Sequence, residues 1–290
     1  MTSFPICLEV GGDGWCMAWV AKCPGAHISR PSEGEAVSTI PLEVGSFLRW
    51  LRHFGEKIPV TRALQVEIAE RHVFRAKFRF GHTQAFFKLD DRAMTRDEVR
   101  TQMRWLRHSR STLDTLVHGL DPEALTWGTP GIKGRPPGKG GGGWTIGLYL
   151  RHIGSVEKWY LQQFWRSLPV LPRSESPFER LAYARKQVEE IIGGAATRDL
   201  SRVMTTSGQK WTLRKILRRL LYHERYHMRT IMRIQLHHQW ACEKWLLEAL
   251  GAPELLSHPR TAMSTQGAIN SALASASRAM MESSRRLRMP

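Results

Sequence analysis

Two histidines lie four residues apart in the segment His223-Glu224-Arg225-Tyr226-His227. On a helix, side chains at positions i and i+4 project from the same face. Both imidazoles can therefore reach one metal ion, since a zinc site has nitrogen–metal distances of about 2.0–2.1 Å. Glu224 also produces the His-Glu-x-x-His spacing of zinc proteases, but it points away from the histidine face and no acidic ligand follows at a matching distance. The pair alone leaves three interpretations open: another kind of metal site, a pair on the surface, or a satisfied pair of core histidines.

The helix that carries this pair turns it toward the protein interior. Apolar residues recur at three- and four-residue steps from Leu213 to Ile234, and both histidines fall on this stripe. A buried imidazole pair without a partner is costly. The stripe therefore predicts that another group satisfies the two rings.

A third histidine has the same placement on a second helix. His152 lies on the apolar stripe of the helix predicted from Thr145 to about Trp165, together with Val156 and Trp159. Three inward imidazoles on two helices of one bundle predict a site that leaves one coordination position open, as catalytic zinc sites do. The predicted metal ligands are His152, His223 and His227.

Four helices are predicted to position these residues. The first covers about 96–118 and opens on the capping-box pair Thr95 and Glu98. The others begin at Thr145, at Ser176-Pro177 and at Thr212. The fourth is predicted to reach about residue 236, and a separate helical piece covers 240–250. Residues 128–143, rich in Pro and Gly, predict a flexible loop that lacks the spacing of a phosphate-binding loop.

The N-terminal region alternates strands with a helix. Residues 6–10 and 16–21 predict a hairpin around the turn at 11–14, and 32–53 predict a helix that Pro41 kinks or splits. Alternation over 64–68 and the apolar run 85–89 predict two further strands. Three of the four cysteines lie here without Cys-x-x-Cys spacing, which favours buried free thiols.

The helical half resembles the DinB-like (YfiT-type) metal-dependent bundles. The resemblance rests on Trp144 to Tyr160 and Trp211 to His227, which correspond to that family's lone histidine on the second helix and His-x-x-x-His pair on the fourth. It implies a divalent metal ion, zinc or nickel, held by three imidazoles. It also implies a thiol-dependent transferase or isomerase that uses a low-molecular-weight thiol such as bacillithiol, mycothiol or glutathione.

The first ~55 residues resemble the small HicB-type fold. The resemblance rests on the hairpin with Gly-Asp-Gly at its turn, on Cys23-Pro24-Gly25 and on the helix that follows. It implies a module that binds protein partners or associates with itself.

Composition narrows the partners. The chain has 290 residues and no apolar run of the ~18 residues that span a bilayer, and its start has no basic leader, so we expect a cytoplasmic protein. The formal charge of +17 attracts polyanions, but basic residues are spread along the chain, so nucleic acid is expected to bind without specificity. The other expected partners are a thiol, a small electrophile and a second copy in a homodimer.

Together these patterns predict an α+β, HicB-like N-terminal region followed by an all-α, up-and-down four-helix bundle of the DinB-like type. The predicted units are residues 1–57 (the HicB-like domain), 58–94 (a β-rich connection that can belong to it), 95–250 (the bundle) and 251–290 (a mostly disordered basic tail). The predicted function is a metal-dependent thiol S-transferase or isomerase. The alternative is a non-catalytic stress-response module with a structural metal, whose HicB-like region engages a protein or nucleic-acid partner.

Overall fold

The computed structural model describes residues 2–58, 64–75, 77, 85–128, 144–170 and 176–249, with only the backbone of residues 2 and 239–249. Residues 1–234 form one compact unit and residues 235–290 form another. Every side-chain contact that builds the site lies in the first unit. The loop predicted over 128–143 and the tail predicted over 251–290 fall outside the described residues, apart from residue 128 of the loop.

The N-terminal region is a four-stranded mixed sheet with one helix. Its strands are β1 (Thr2–Val10), β2 (Cys16–Val20), β3 (His27–Arg30) and β4 (Leu64–Val73), in the order β3-β2-β1-β4. β1 and β2 form the predicted antiparallel hairpin. β4 contains the strand predicted at 64–68, and it pairs in parallel with β1, which requires the crossover that the intervening helix supplies.

Helix α1 (Glu33–His53) is not split at Pro41. Ile40 and Val44 are fully buried on either side of the proline. Proline cannot donate one backbone hydrogen bond of the helix, and the burial of these two residues offsets that loss. α1 packs on the sheet face that carries Ile6 and Leu8.

The helical region confirms the predicted starts. Its helices are α2 (Arg96–Val117), α3 (Pro122–Thr126), α4 (Ile146–Gln162), α5 (Pro177–Gly193) and α6 (Leu213–Ala249). Thr95, Thr145 and Ser176 each accept a backbone N–H at the start of α2, α4 and α5. α6 is one continuous helix where the sequence predicted two pieces. An α+β region followed by a mostly helical region is therefore observed. Among the described residues, no helix is long and apolar enough to cross a membrane.

The strand predicted at 85–89 was wrong. Two carboxylates take backbone donors that a strand would have paired: Glu9 accepts from the N–H of Ala85 at 2.6 Å, and Asp90 accepts from the N–H of Phe87 at 3.0 Å. The contact of Asp90 with Phe87 is local, and local side-chain acceptors favour a turn over a strand. The turn places Phe87 against the second face of the sheet, beside Trp19.

Three short elements were not predicted. They are α3, a 3-10 helix at Thr197–Leu200 and a hairpin of β5 (Met204–Thr206) with β6 (Gln209–Trp211). Ser207 and Gly208 both have positive φ, as a two-residue hairpin turn requires. The hairpin leads directly into α6 and delivers Trp211 to the core, where it is 1% exposed.

One apolar cluster joins the sheet, α1 and the long helices. Phe47 of α1, Met103 of α2, Tyr160 of α4 and Leu221 of α6 all belong to it. The packed interior thus fixes the helices that carry the histidines against the N-terminal region. The predicted boundaries at 57, 94 and 250 stay predictions.

The capping box of α2 offers a stability test. The hydroxyl of Thr95 accepts from the N–H of Glu98 at 3.1 Å, and the Glu98 carboxylate accepts from the N–H of Thr95 at 2.7 Å. We expect Thr95→Ala to lower the free energy of unfolding by about 1 kcal/mol, measured by urea denaturation. Thr115→Ala, at an exposed site inside the same helix, should change it by less than about 0.5 kcal/mol. Equal effects of the two variants would contradict the cap.

Candidate metal centre

The three predicted histidines come together in the structure. The Nε2 atom of His223 lies 3.0 Å from Nε2 of His152 and 3.0 Å from Nε2 of His227. All three ligand atoms lie within 4.8 Å of one another. Nitrogen atoms that share a tetrahedral zinc ion at about 2.0–2.1 Å are roughly 3.3–3.4 Å apart. The two separations of 3.0 Å are close to those that one ion imposes.

Two helices position the rings. α4 begins at its Thr145 cap and presents His152 in its second turn, half-buried, while α6 presents His223 and His227 one turn apart. His223 and His227 are 9% and 8% exposed. Their burial follows from the apolar stripe of α6, on which Ile216, Leu220 and Ile231 are each at most 1% exposed.

Hydrogen bonding among the imidazoles alone leaves this cluster unsatisfied. The Nε2 atom of His223 faces two other Nε2 atoms, but a neutral imidazole nitrogen has either one hydrogen or one lone pair to offer. A metal ion would satisfy all three nitrogens at once, so the donor set fits a divalent cation that prefers imidazole.

The imidazoles are held in the neutral form that a metal requires. Burial lowers the pKa of His227 to about 3, with the nearby His152 adding to the effect. Burial, His227 and His152 lower the pKa of His223 well below its ordinary value. Burial also lowers the pKa of His152.

Aromatic rings surround the cluster. The ring of Trp144 contacts His152 edge to face, with 4.6 Å between centroids. Tyr149 lies 5.2 Å from His227, and Tyr160 lies 6.0 Å from His223. These rings limit the rotation of the imidazoles and lower the polarity around them.

Glu224 points away from the histidines, as predicted. Its carboxylate accepts from Nε of Arg110 at 2.8 Å and from Nη2 of Arg185 at 2.9 Å. This engagement on the far side of α6 removes it as the general base that a zinc protease would need.

The same carboxylate belongs to a buried cluster that the sequence analysis missed. The four members are Arg110 of α2, Glu157 of α4, Arg185 of α5 and Glu224 of α6, all at most 8% exposed. Glu157 accepts from Nη2 of Arg110 at 2.9 Å and from Nε of Arg185 at 3.0 Å. The two guanidinium groups and two carboxylates cancel in charge, and we call this set the charge cluster. Its sequence signal was a charged residue among the apolar positions of α2, α4 and α5, whereas Glu224 lies off the apolar stripe of α6 and gave no such signal.

The described cysteines are free thiols in the interior. Cys7, Cys16 and Cys23 are buried and unpaired, as the sequence predicted. Burial, the largest cause in each case, raises the pKa of each to about 12. Buried neutral thiols are poor nucleophiles, so none of these three is suited to act as a nucleophile at the histidines.

Comparison with known proteins points to one family. The family model of the DinB superfamily matches residues 105–231, a span that contains all three histidines and the four members of the charge cluster. A search of the curated proteins gave no match, and a search of the solved structures gave none either. The match agrees with the arrangement of a histidine on α4 and a histidine pair on α6, and residues 105–231 of this chain are therefore similar to the DinB superfamily.

Proposed function

We propose that this protein is a metal-dependent enzyme of the thiol S-transferase or isomerase type. The observation that carries the proposal is the convergence of three neutral imidazoles, two of them buried, in the region that the DinB superfamily model matches. His152, His223 and His227 would hold a divalent ion, zinc or nickel. The proposed co-substrate is a low-molecular-weight thiol, and the proposed acceptor is a small electrophile.

The chemistry follows from the number of protein ligands. Three imidazoles leave one position of a tetrahedral site open. When bound there, the metal supplies a positive charge that favours the ionised form of an incoming thiol. The chain's own residues keep the imidazoles neutral and oriented, and Trp144, Tyr149 and Tyr160 shield the rings from water.

The fold proposal extends the observed helices. We propose that α2, α4, α5 and α6 form the up-and-down four-helix bundle of this family, and that residues 1–57 form a HicB-like domain. The charge cluster supports the bundle, since each of these four helices contributes one member to it. A homodimer is proposed as the assembly, to be checked by light scattering.

The test is a metal-dependent conjugation assay. Zinc- or nickel-loaded protein is mixed with bacillithiol, mycothiol or glutathione and with 1-chloro-2,4-dinitrobenzene. A carbon–sulfur bond forms, the carbon–chlorine bond breaks, and chloride and a proton leave to water. We expect one thiol to react at least about tenfold faster than with metal-free protein, and His223→Ala to remove the acceleration. The enzyme proposal would be contradicted if metal-loaded protein accelerated neither conjugation to this electrophile nor the isomerisation of maleate with any of the three thiols.

A binding module with a structural metal is the second candidate. The depth of the histidines, two of them less than one-tenth exposed, favours it, as does the engagement of Glu224 away from the site. The charge of +17 would then serve a polyanion, and the affinity for DNA or RNA should fall steeply as salt rises. A shallow salt dependence, or no retention at moderate salt, would contradict this use of the charge.

A further inference from the structure

Arg219 is a buried cation whose partners are rings and a hydroxyl. Arg219 lies on α6 and is 5% exposed. The guanidinium carbon lies 5.3 Å from the ring centre of Tyr160 and 5.4 Å from that of Tyr222, and the group also interacts with the Tyr160 hydroxyl. Among the described residues, its Nε and Nη1 atoms have no hydrogen-bond acceptor.

Three other buried arginines of this chain are paired with carboxylates. Arg110 and Arg185 share two carboxylates in the charge cluster, and Arg218 lies 2.6 Å from the carboxylate of Asp90. No carboxylate in the described part of the chain makes a salt bridge to Arg219. Burying a guanidinium without a salt bridge is costly. The buried carboxylate of Glu9 acts on Arg219 through its charge, but its oxygens accept from Trp19 and Ala85, so the N–H donors of Arg219 are left for a bound anion.

Arg219 lies beside the histidine cluster. It precedes His223 by four residues on α6, so the two side chains project from the same face of the helix. Tyr160 lies near both, because its ring centre is 5.3 Å from the guanidinium carbon and 6.0 Å from the centre of the His223 ring.

A second buried donor next to the same tyrosine also has no acceptor. Trp211 is 1% exposed, and its ring lies 6.0 Å from Tyr160. In the region that the structure describes, its Nε1–H group has no hydrogen-bond partner. Unsatisfied N–H groups of Arg219 and Trp211 thus belong to two residues that both lie near Tyr160, the tyrosine whose ring is 6.0 Å from that of His223.

We propose that Arg219, assisted by the Nε1–H of Trp211, forms a subsite for a carboxylate of the ligand that binds at the three histidines. A guanidinium offers two parallel N–H donors that match a carboxylate. The substrate class is therefore an acidic thiol or an acidic electrophile, in preference to a neutral one of equal size. This inference rests on the proposed metal site and deepens the proposed function.

The test compares two small thiols on cobalt(II)-loaded protein. Mercaptoacetate and 2-mercaptoethanol both offer one sulfur, but only mercaptoacetate carries a carboxylate. Binding is followed by the sulfur-to-cobalt absorption, without any turnover. We expect Arg219→Gln to lower the affinity for mercaptoacetate by at least about tenfold, which is the contribution of one charge-assisted contact. The affinity for 2-mercaptoethanol should change by less than about twofold.

The matched control is Arg225→Gln. It removes the same charge from a buried arginine of the same helix, whose guanidinium lies over Trp50 and donates to the carbonyl of Gly25. The affinity for either thiol should change by no more than about twofold in this variant. Equal losses in Arg219→Gln and Arg225→Gln would show a general effect of charge and would overturn the subsite.

The outcomes separate the subsite from the proposed function. Cobalt uptake without binding of either thiol contradicts the proposed thiol-dependent enzyme. Acetate then tests the subsite on the same samples. Acetate should perturb the cobalt spectrum of the parent protein but not that of Arg219→Gln. Equal weakening of both thiols by Arg219→Gln overturns the subsite alone. Absence of cobalt uptake overturns both the subsite and the proposed function.

Should Arg219→Gln fail to fold, Arg219→Lys replaces it. Lysine keeps a point charge without the fork, so mercaptoacetate should weaken by several-fold, and an unchanged affinity overturns the subsite.

Discussion

Replacing His227 with alanine is expected to reduce the metal content of the purified protein from about one equivalent per chain to less than about 0.1. The imidazole of His227 supplies one of three converging nitrogens, and its Nε2 lies 3.0 Å from that of His223. Two remaining imidazoles hold a divalent ion far more weakly than three, because the lost ligand was already fixed by burial and needed no ordering. Elemental analysis of untagged protein, purified without chelators, measures the result.

His118→Ala is the control for this variant. His118 is exposed at the end of α2, so its loss removes an imidazole without touching the cluster, and the metal content should equal that of the parent. Circular dichroism establishes that His227→Ala remains folded. Full metal retention in folded His227→Ala, or a parent protein that takes up no zinc, nickel or cobalt, would contradict the three-histidine site.

The candidate site could be found from the sequence because its signals are local. The spacing of His223 and His227 and the apolar stripe of α6 both lie within a few helical turns, as does the position of His152 on α4. Helix periodicity converts such spacing directly into a shared direction. Only the meeting of α4 with α6 needed tertiary information, and there the family resemblance supplied it.

The features that escaped prediction depend on contacts between distant residues. No strand forms at Ala85, because the carboxylate of Glu9, 76 residues earlier, accepts its backbone N–H. Arg110 and Glu224 are 114 residues apart in the chain, and no local sequence pattern near either residue identifies the other as its partner. The β5–β6 hairpin is different, since Ser207-Gly208 is a local turn signal whose flanking strands of three residues were too short to show a period.

The charge cluster carries the second large expected effect, which concerns stability. We expect Glu157→Ala to lower the free energy of unfolding by about 3–5 kcal/mol, measured by urea denaturation of metal-free protein. Glu157 is 2% exposed and accepts from Arg110 at 2.9 Å and from Arg185 at 3.0 Å. Its removal leaves two buried guanidinium groups facing the single carboxylate of Glu224, so one positive charge becomes uncompensated.

Glu190→Ala provides the matched control. Glu190 also pairs with a cation, Lys186, at 3.8 Å, but its side chain is 63% exposed. Solvent screens such a pair, so its loss should change the free energy of unfolding by less than about 0.5 kcal/mol. Comparable losses in the two variants would mean that the buried cluster is no more important to stability than a surface pair.

Removing an opposite charge together with Glu157 should recover part of the loss. Arg185→Ala alone is expected to be strongly destabilising too, because it leaves two carboxylates facing the single guanidinium of Arg110. The double variant removes one charge of each sign, so the remaining Arg110 and Glu224 still pair at 2.8 Å. Its loss of unfolding free energy should therefore be smaller than the sum of the two single losses by about 1–3 kcal/mol. Simple additivity in this double-mutant cycle would show that packing, and not compensation of charge, explains why these residues are needed in the interior.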